Sequence, residues 1–228
     1  MSRREYSCCS SSACTPCAGS RTRWSPCAAS GSGLKPWQTA SSNLGIIENI
    51  SSRFPGCIQG FNFTDDWGTQ QALIINPNLW EEFFRPRYQR IFSAIHEAGW
   101  HVWMHSCGKI TSILSSLIEI GVDVIEPQQP RVLGIEDIGS QFRGKVCFAS
   151  LCDIQHTLPF ASEAEIRAEA ELLLAHWATP EGGFILIDYG DGAAIGVELE
   201  SKRIMLDAFL KADPWSRWAE SPAFMNKD

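Results

Sequence analysis

Residues 100–126, WHVWMHSCGKITSILSSLIEIGVDVIE, contain one complete strand-helix-strand unit. Residues 100–105 are typical of a strand, and residues 109–120 place apolar side chains at helical spacing. Gly121 is typical of a helix end, and residues 122–125 form a short apolar run of the kind found in buried strands. This order predicts a pair of parallel strands with the helix packed on one face.

The same alternation continues on both sides of this unit. Strands are predicted at residues 57–65, 146–150 and 184–188, and helices at 44–53, 78–97, 135–142, 163–177 and 200–211. Five strand-then-helix units between residues 57 and 211 predict an α/β fold with a parallel sheet and helices outside it. Because no strand is followed by a glycine-rich phosphate loop, the pattern favours a barrel-type sheet over a doubly wound nucleotide fold.

The predicted helix at 78–97 contains a proline, which removes one backbone donor from a helix interior. We therefore expect a kink or a break into two helices at Pro86, with Asn78 as the N-cap. The side chains expected to be buried are Leu79, Phe83, Ile91, Phe92 and Ile95.

Composition and charge separate the first 40 residues from the rest of the chain. This segment holds five of the nine cysteines and nine serines, and its five basic residues against one acidic residue give it a net charge of +4. We predict a disordered or non-native low-complexity segment at 1–40, a domain at 41–212 and a tail at 213–228. The alternative is a zinc knuckle at Cys14-Thr-Pro-Cys17, although no second pair follows at knuckle spacing.

The whole chain of 228 residues has a net charge of −7 and no dense run of Lys and Arg, which disfavours nucleic acid as a partner. No stretch approaches the roughly 18 apolar residues of a membrane span, and the first 30 residues lack the apolar core of a secretory signal. We therefore predict a cytoplasmic protein that acts on a small-molecule substrate without membrane contact.

Polar side chains follow the carboxyl end of every predicted strand, which is where parallel α/β proteins bind and react. In chain order they are Asp65 and Asp66, then His105 and Cys107, then Glu126, Gln128 and Gln129, then Cys152, Asp153 and Gln155, then Asp188 and Asp191. Each residue alone is often only a turn former or a helix cap. Their joint occurrence at five strand ends predicts one functional site.

The sharpest element is His105-Ser-Cys107-Gly108. A histidine and a thiol two residues apart at a strand end point along one face, so both can reach one zinc ion. Gly108 then allows a tight turn. The alternative is a buried histidine beside an inert cysteine.

Several further motifs occur with this one in a fixed order. They are Asp65-Asp-Trp-Gly-Thr-Gln70, His96-Glu-Ala-Gly99, Ile120-Gly-Val-Asp123, Pro127-Gln128 with Gln129-Pro130, Asp153-Ile-Gln155 and Leu158-Pro159. Over about residues 44–211 the series resembles the uroporphyrinogen decarboxylase superfamily, and most closely its methyltransferase-like branch. The resemblance implies a (β/α)8 barrel. The superfamily includes both the haem-pathway decarboxylase and zinc-dependent methyltransferases that move a methyl group between a corrinoid and a thiol.

For the fold, the resemblance implies an incomplete barrel. A closed barrel takes about 250 residues, so five units leave three strands absent, and the matching part lies on the C-terminal side. We therefore expect a truncated or mis-started member of the family. Open sheet edges of this kind favour self-association, or folding with another chain that supplies strands.

For the site, the resemblance assigns zinc to His105 and Cys107 and makes a corrinoid, carried on a corrinoid protein, the co-substrate. The methyltransferases take a third zinc ligand from a late cysteine, but the region here is Ile187-Asp-Tyr-Gly-Asp191. Asp188, Asp191, Glu126 and Cys152 are the candidate substitutes. We assign catalytic roles to Asp65, Asp66, Glu126 and Asp153, and substrate contacts to Gln70, Gln128, Gln155 and Asp188.

Two alternatives to the methyltransferase remain. The first is tetrapyrrole decarboxylation. The resemblance implies that this reaction proceeds by proton transfer, on a substrate whose carboxylates are held by N-terminal arginines. The Arg-Gln-Ala-Gly-Arg-Tyr segment of that enzyme has no counterpart here, and Arg131 and Arg143 are the few basic residues near the strand ends. The second is a catalytically inactive family member, which the absent strands and the absent third cysteine both suggest.

Overall fold

The computed structural model describes residues 36–212, with side chains from Leu44 onward. Helix α1 (Pro36–Arg53) is followed by strand β1 (Gly60–Thr64), helices α2 (Pro77–Phe83) and α3 (Arg85–Glu97), strand β2 (His101–His105) and helix α4 (Thr111–Glu119). Next come strand β3 (Val124–Glu126), helices α5 (Pro130–Leu133) and α6 (Ile135–Phe142), and strand β4 (Cys147–Ser150). The described part ends with helices α7 (Thr157–Phe160) and α8 (Glu163–Trp177), strand β5 (Phe184–Leu186), a 3-10 helix (Gly192–Ile195) and helix α9 (Leu199–Ala212).

The five strands form one parallel sheet in the order β1-β2-β3-β4-β5. Each strand therefore pairs with the next one along the chain, without the reversal of strand order that marks a doubly wound sheet. The α/β class with five parallel strands is confirmed, and the sheet has the winding of part of a (β/α)8 barrel. The register pairs Thr64 with His105 and His105 with Glu126, so the carboxyl ends of the first three strands lie side by side.

The core lies between the sheet and its helices. Met104 and Ile125 are fully buried within the strands, and Phe92 is fully buried on α3. On the other side of the domain, Phe148 of β4 stacks on Trp177 of α8, with 4.4 Å between the ring centroids. Burial of such large apolar side chains makes the largest favourable contribution to the free energy of packing a helix on a sheet.

The region around Pro86 forms two separate helices, which is the second of the two predicted outcomes, a kink or a break. Asn76 rather than Asn78 is the cap, because its side chain accepts from the Asn78 amide at 2.8 Å. The expected burial of Leu79 and Phe83 is wrong, since these side chains are 51% and 37% exposed. Trp80 is the buried residue of α2 and belongs to an i, i+4 series with Phe84 and Tyr88, whereas Leu79 and Phe83 each precede a member of that series by one residue and lie outside the buried face.

Helix α1 begins at Pro36, earlier than the predicted start at Leu44 and inside the segment assigned to residues 1–40. The first 35 residues, including the Cys14-Thr-Pro-Cys17 motif, and the predicted tail at 213–228 lie outside the described residues. The proposed domain boundaries therefore stay predictions, as does self-association through the edge strands β1 and β5. Among residues 36–212, no helix combines the length and the apolar character needed to cross a membrane.

Candidate functional site

The loops that follow β1 and β2 are packed directly against each other. A Cβ atom added to Gly68 would lie 2.5 Å from the Lys109 nitrogen, and one added to Gly108 would lie 2.4 Å from Gly68 backbone atoms. Gly108 also has a φ of +76°, which favours glycine. Backbone hydrogen bonds join the two loops, from the Gly68 amide to the Cys107 carbonyl at 3.2 Å and from the Lys109 amide to the Thr69 carbonyl at 2.7 Å. This contact brings the end of β1 next to the His-x-Cys motif.

Asp66, His105 and Cys107 converge where these loops meet. The Cys107 sulfur lies 3.5 Å from His105 Nε2, and Asp66 Oδ1 lies 3.5 Å from the same nitrogen. Asp66 Oδ1 also accepts a hydrogen bond from the Cys107 amide at 2.8 Å. One ligand atom from each of the three residues lies within 4.8 Å of the others, and this is the one such group of three among the described residues.

Glu126 lies behind His105 on the neighbouring strand. Its Oε1 is 3.2 Å from His105 Nδ1, at ion-pair distance but outside the geometry of a hydrogen bond. Trp103 Nε1 donates to the other carboxylate oxygen at 2.5 Å, and the Gln128 amide donates to Oε1 at 3.0 Å. Both side chains of the His105–Glu126 pair are largely shielded from water, at 15% and 14% exposure. Glu126 therefore holds the second nitrogen of the ring, as carboxylates do behind metal-binding histidines.

The pKa values of this pair are shifted in opposite directions. The Cys107 sulfur, then Glu126, raise the pKa of His105 to about 10, against the opposing effect of burial. Burial alone would raise the pKa of Glu126, but its contacts with His105, Trp103 and Gln128 lower it overall. In the metal-free protein His105 is therefore protonated at neutral pH and paired with an ionised Glu126.

Asp65 has a different environment from its neighbour Asp66. The buried Tyr88 hydroxyl donates to Asp65 Oδ2 at 2.6 Å, and Trp67 Nε1 donates to the same hydroxyl at 3.3 Å. Burial, then the contact with Asp65, raise the pKa of Tyr88. Asp65 thus anchors the loop to α3, whereas Asp66 lies in the cluster with His105 and Cys107.

Asp153 is fully buried and shapes the loop after β4. Its Oδ1 accepts from the amides of Gln155 and His156, each at 2.9 Å, and its Oδ2 has no hydrogen-bond partner among the described residues. The Asp153 amide donates to Glu169 Oε1 at 2.6 Å. Glu169 also accepts from the Thr157 hydroxyl at 2.6 Å, and burial raises the pKa of its carboxyl group.

An open cavity of about 520 Å³ lies beside the three-residue cluster. Cys107, Gln128 and Gln155 line it, and three lining residues, Gln129, His156 and Tyr189, were not among the assigned sites. Gln70 reaches the cavity indirectly, since its amide nitrogen donates to Gln129 Oε1 at 2.6 Å. The cavity therefore joins residues from four of the five strand ends.

The remaining candidates point elsewhere. Asp188 forms an ion pair with Lys202 at 2.9 Å, and Asp191 caps the 3-10 helix by accepting from Ala194 at 3.2 Å. Cys152 is fully buried, and burial raises the pKa of its thiol. None of these three belongs to the cluster around His105, and Glu126 faces the other ring nitrogen. Asp66, which was not among the candidate third ligands, is instead the residue that joins His105 and Cys107 in the cluster.

Comparison with known proteins gives two matches of different kinds. Residues 57–211 match the sequence model of a family described as uroporphyrinogen decarboxylase (URO-D). The fold resembles the solved structure of a methyltransferase from Methanosarcina mazei, with a TM-score of 0.54 and 17% sequence identity over 75% of this chain. That alignment covers 47% of the methyltransferase, so the chain spans about half the length of this relative. A search among curated protein sequences finds no match.

Proposed function

The chain belongs to the uroporphyrinogen decarboxylase family, and from this premise we propose that it takes part in zinc-dependent transfer of a methyl group from a corrinoid to a thiol. The observation that carries the proposal is the convergence of Asp66, His105 and Cys107, whose ligand atoms lie within 4.8 Å of one another. The net transfer forms a carbon–sulfur bond and breaks the carbon–cobalt bond, with its electron pair left on the corrinoid. The thiol releases its proton.

The donor set fits zinc. One carboxylate oxygen, one imidazole nitrogen and one thiolate sulfur are all ligands that Zn²⁺ accepts, and three protein ligands leave a fourth position for a substrate. When bound, zinc lowers the pKa of a thiol that coordinates it. A site with three protein ligands is thus suited to the activation of a thiol.

The residues around the cluster have separable roles in this proposal. Glu126 fixes the ring of His105 by holding Nδ1 at 3.2 Å, which leaves Nε2 directed at Asp66 and Cys107. Asp66 adds a negative charge and, through its bond to the Cys107 amide at 2.8 Å, sets the position of the thiol. Asp65 and Tyr88 hold the loop that carries Asp66. The substrate thiol approaches from the cavity that Cys107 lines.

The contacts of the two arginines near the strand ends favour methyl transfer over tetrapyrrole decarboxylation. Arg131 lies 3.3 Å from the Glu169 carboxylate, and Arg143 donates to the Ala178 carbonyl at 2.6 Å. Both guanidinium groups thus have acceptors within the fold. A substrate rich in carboxylates needs cations that are free to bind it.

The proposal is tested by zinc analysis of the purified protein with His105→Ala, Cys107→Ala and Asp66→Asn variants. We expect one equivalent of zinc in the wild type, loss in the first two variants and weaker binding in the third. His101→Ala and Cys57→Ala are matched controls, because both residues are exposed and neither belongs to the cluster, and they should keep the metal. A folded wild type without zinc, or full zinc content in both His105→Ala and Cys107→Ala, overturns the proposal and favours an inactive family member.

A further inference from the structure

The polar part of the cavity wall beside Cys107 consists of the uncharged amides of Gln128, Gln129 and Gln155 together with His156. No Asp, Glu, Lys or Arg of the described residues is among the lining side chains. The Gln129 carbonyl is taken by Gln70 at 2.6 Å, which leaves the Gln129 amide N–H groups. The Gln128 amide donates to Glu126 at 3.0 Å, which leaves the Gln128 carbonyl oxygen. The wall therefore offers both a donor and an acceptor without a formal charge.

Three carboxylates behind this wall accept hydrogen bonds from the residues that line it. Asp66 accepts from the Cys107 amide at 2.8 Å, and Glu126 accepts from the Gln128 side chain at 3.0 Å. Asp153 accepts from the backbone of Gln155 at 2.9 Å. His105 contacts Asp66 and Glu126 and so compensates part of this charge, but the groups behind the wall offer no cation of their own to an anion bound in the cavity.

Two basic side chains near the same strand ends belong to ion pairs, and Lys109, which follows Gly108, is exposed and is not among the residues that line the cavity. Lys202 lies 2.9 Å from Asp188, and Arg131 lies 3.3 Å from Glu169. His105 contacts both Glu126 and Asp66, at 3.2 and 3.5 Å. Among the described residues, the wall thus has no unpaired Lys or Arg side chain directed at a bound carboxylate, sulfonate or phosphate.

The rest of the wall is apolar. It consists of Ile154, Pro159, Phe160, Tyr189 and Ile195. Phe160 is 83% exposed, although Thr157 and Leu158 of the same short helix are buried. Apolar and aromatic side chains of this kind favour an apolar or aromatic ligand body through the area they remove from water.

We infer that the acceptor in this cavity is an uncharged thiol with an apolar or aromatic body and a hydroxyl or amide group, rather than a thiol with an anionic tail. That the ligand is a thiol rests on the proposed function. The preference of the cavity for an uncharged ligand follows from the residues of the wall alone. A hydroxyl or amide satisfies the Gln128 and Gln129 groups, whereas an anionic tail would lose its hydration against a wall that offers it no Lys or Arg side chain.

The test compares two thiols of matched shape, 4-(mercaptomethyl)benzyl alcohol and 4-(mercaptomethyl)benzoate. Binding is measured by calorimetry at neutral pH, with metal-free and with zinc-loaded protein. We expect the alcohol to bind at least about fivefold more tightly than the benzoate in both forms, because burying one charge without a cationic partner costs free energy. Equal or tighter binding of the benzoate, or no binding of either thiol, overturns the inference.

A variant pair separates the charge of the wall from the charge of the whole protein. Gln155→Arg adds a cation to the cavity wall at an exposed position, and it should narrow or reverse the preference for the alcohol. Gln141→Arg adds the same charge at an exposed position on α6, outside the cavity lining, and it should leave the preference unchanged. An identical effect of both variants contradicts the inference.

The two proposals fail in different ways. Protein that binds no zinc but prefers the alcohol refutes the proposed function and keeps the inference about the wall. Protein that binds one zinc but prefers the benzoate keeps the metal site and refutes the inference.

Discussion

Glu126 provides a sharp test of how the fold holds His105. In a Glu126→Gln variant the side chain keeps its shape and can still accept from Trp103, but the negative charge facing His105 Nδ1 at 3.2 Å is lost. The contact is an ion pair between two largely shielded side chains, and loss of a carboxylate behind a metal-binding histidine typically costs about 1.4–2.8 kcal/mol of metal affinity. Since about 1.4 kcal/mol corresponds to tenfold, we expect zinc affinity to fall by about 10- to 100-fold, the effect typical of carboxylates behind metal-binding histidines.

The assay for this variant is competition for zinc against a chromophoric chelator at neutral pH. Glu119→Gln is the matched control, because Glu119 is 56% exposed and pairs with Arg85 on the protein surface. The control should bind zinc like the wild type, since exposed ion pairs contribute little. A Glu126→Gln variant whose zinc affinity stays within twofold of the wild type would refute the role assigned to this carboxylate.

Three further predictions concern the stability and titration of the site. Gly108→Ala, which places a Cβ 2.4 Å from the Gly68 backbone at a φ of +76°, should lower the free energy of unfolding in urea by about 2–5 kcal/mol, and an unchanged midpoint would contradict the packing of the two loops. In the metal-free protein, NMR should place the pKa of His105 near 10, with a fall in a Cys107→Ala variant; a value near 6.5 in both proteins would refute the assigned contacts. Because this pKa is raised on folding, His105 stabilises the metal-free protein below pH about 6.5, and that contribution is lost as the pH rises towards 10. Glu169→Ala should destabilise the fold by about 2–4 kcal/mol in the same urea assay, because it leaves buried donors without an acceptor; a loss below about 0.5 kcal/mol would contradict this.

Much of the fold could be predicted because its pattern is local. Short apolar runs mark all five strands, and helical periodicity marks the segments between them. The order of the strands in the sheet follows because parallel strands are joined by helices. The error at Leu79 and Phe83 has a specific cause, since the i, i+4 spacing that leads from Tyr88 back through Phe84 to Trp80 places Leu79 and Phe83 outside the buried face.

The site was less predictable because part of it depends on contacts between distant segments. His105 and Cys107 are two residues apart, so their meeting is a property of one strand end. Asp66 joins them through the close approach of Gly68 and Gly108, and nothing in the local sequence distinguishes it from Asp65. Glu169 was missed, although its position three residues after Ile166 on the buried face of α8 was a detectable irregularity.

The most direct test of the central claim is X-ray absorption at the zinc edge of the loaded protein. A metal held by Asp66, His105 and Cys107 predicts one sulfur ligand at about 2.3 Å, with nitrogen or oxygen at about 2.0–2.2 Å in the remaining positions. The sulfur contribution should disappear in Cys107→Ala. Two or more sulfur ligands per zinc, or a spectrum that the Cys107→Ala change leaves unaltered, would contradict the assignment of the metal to these three residues.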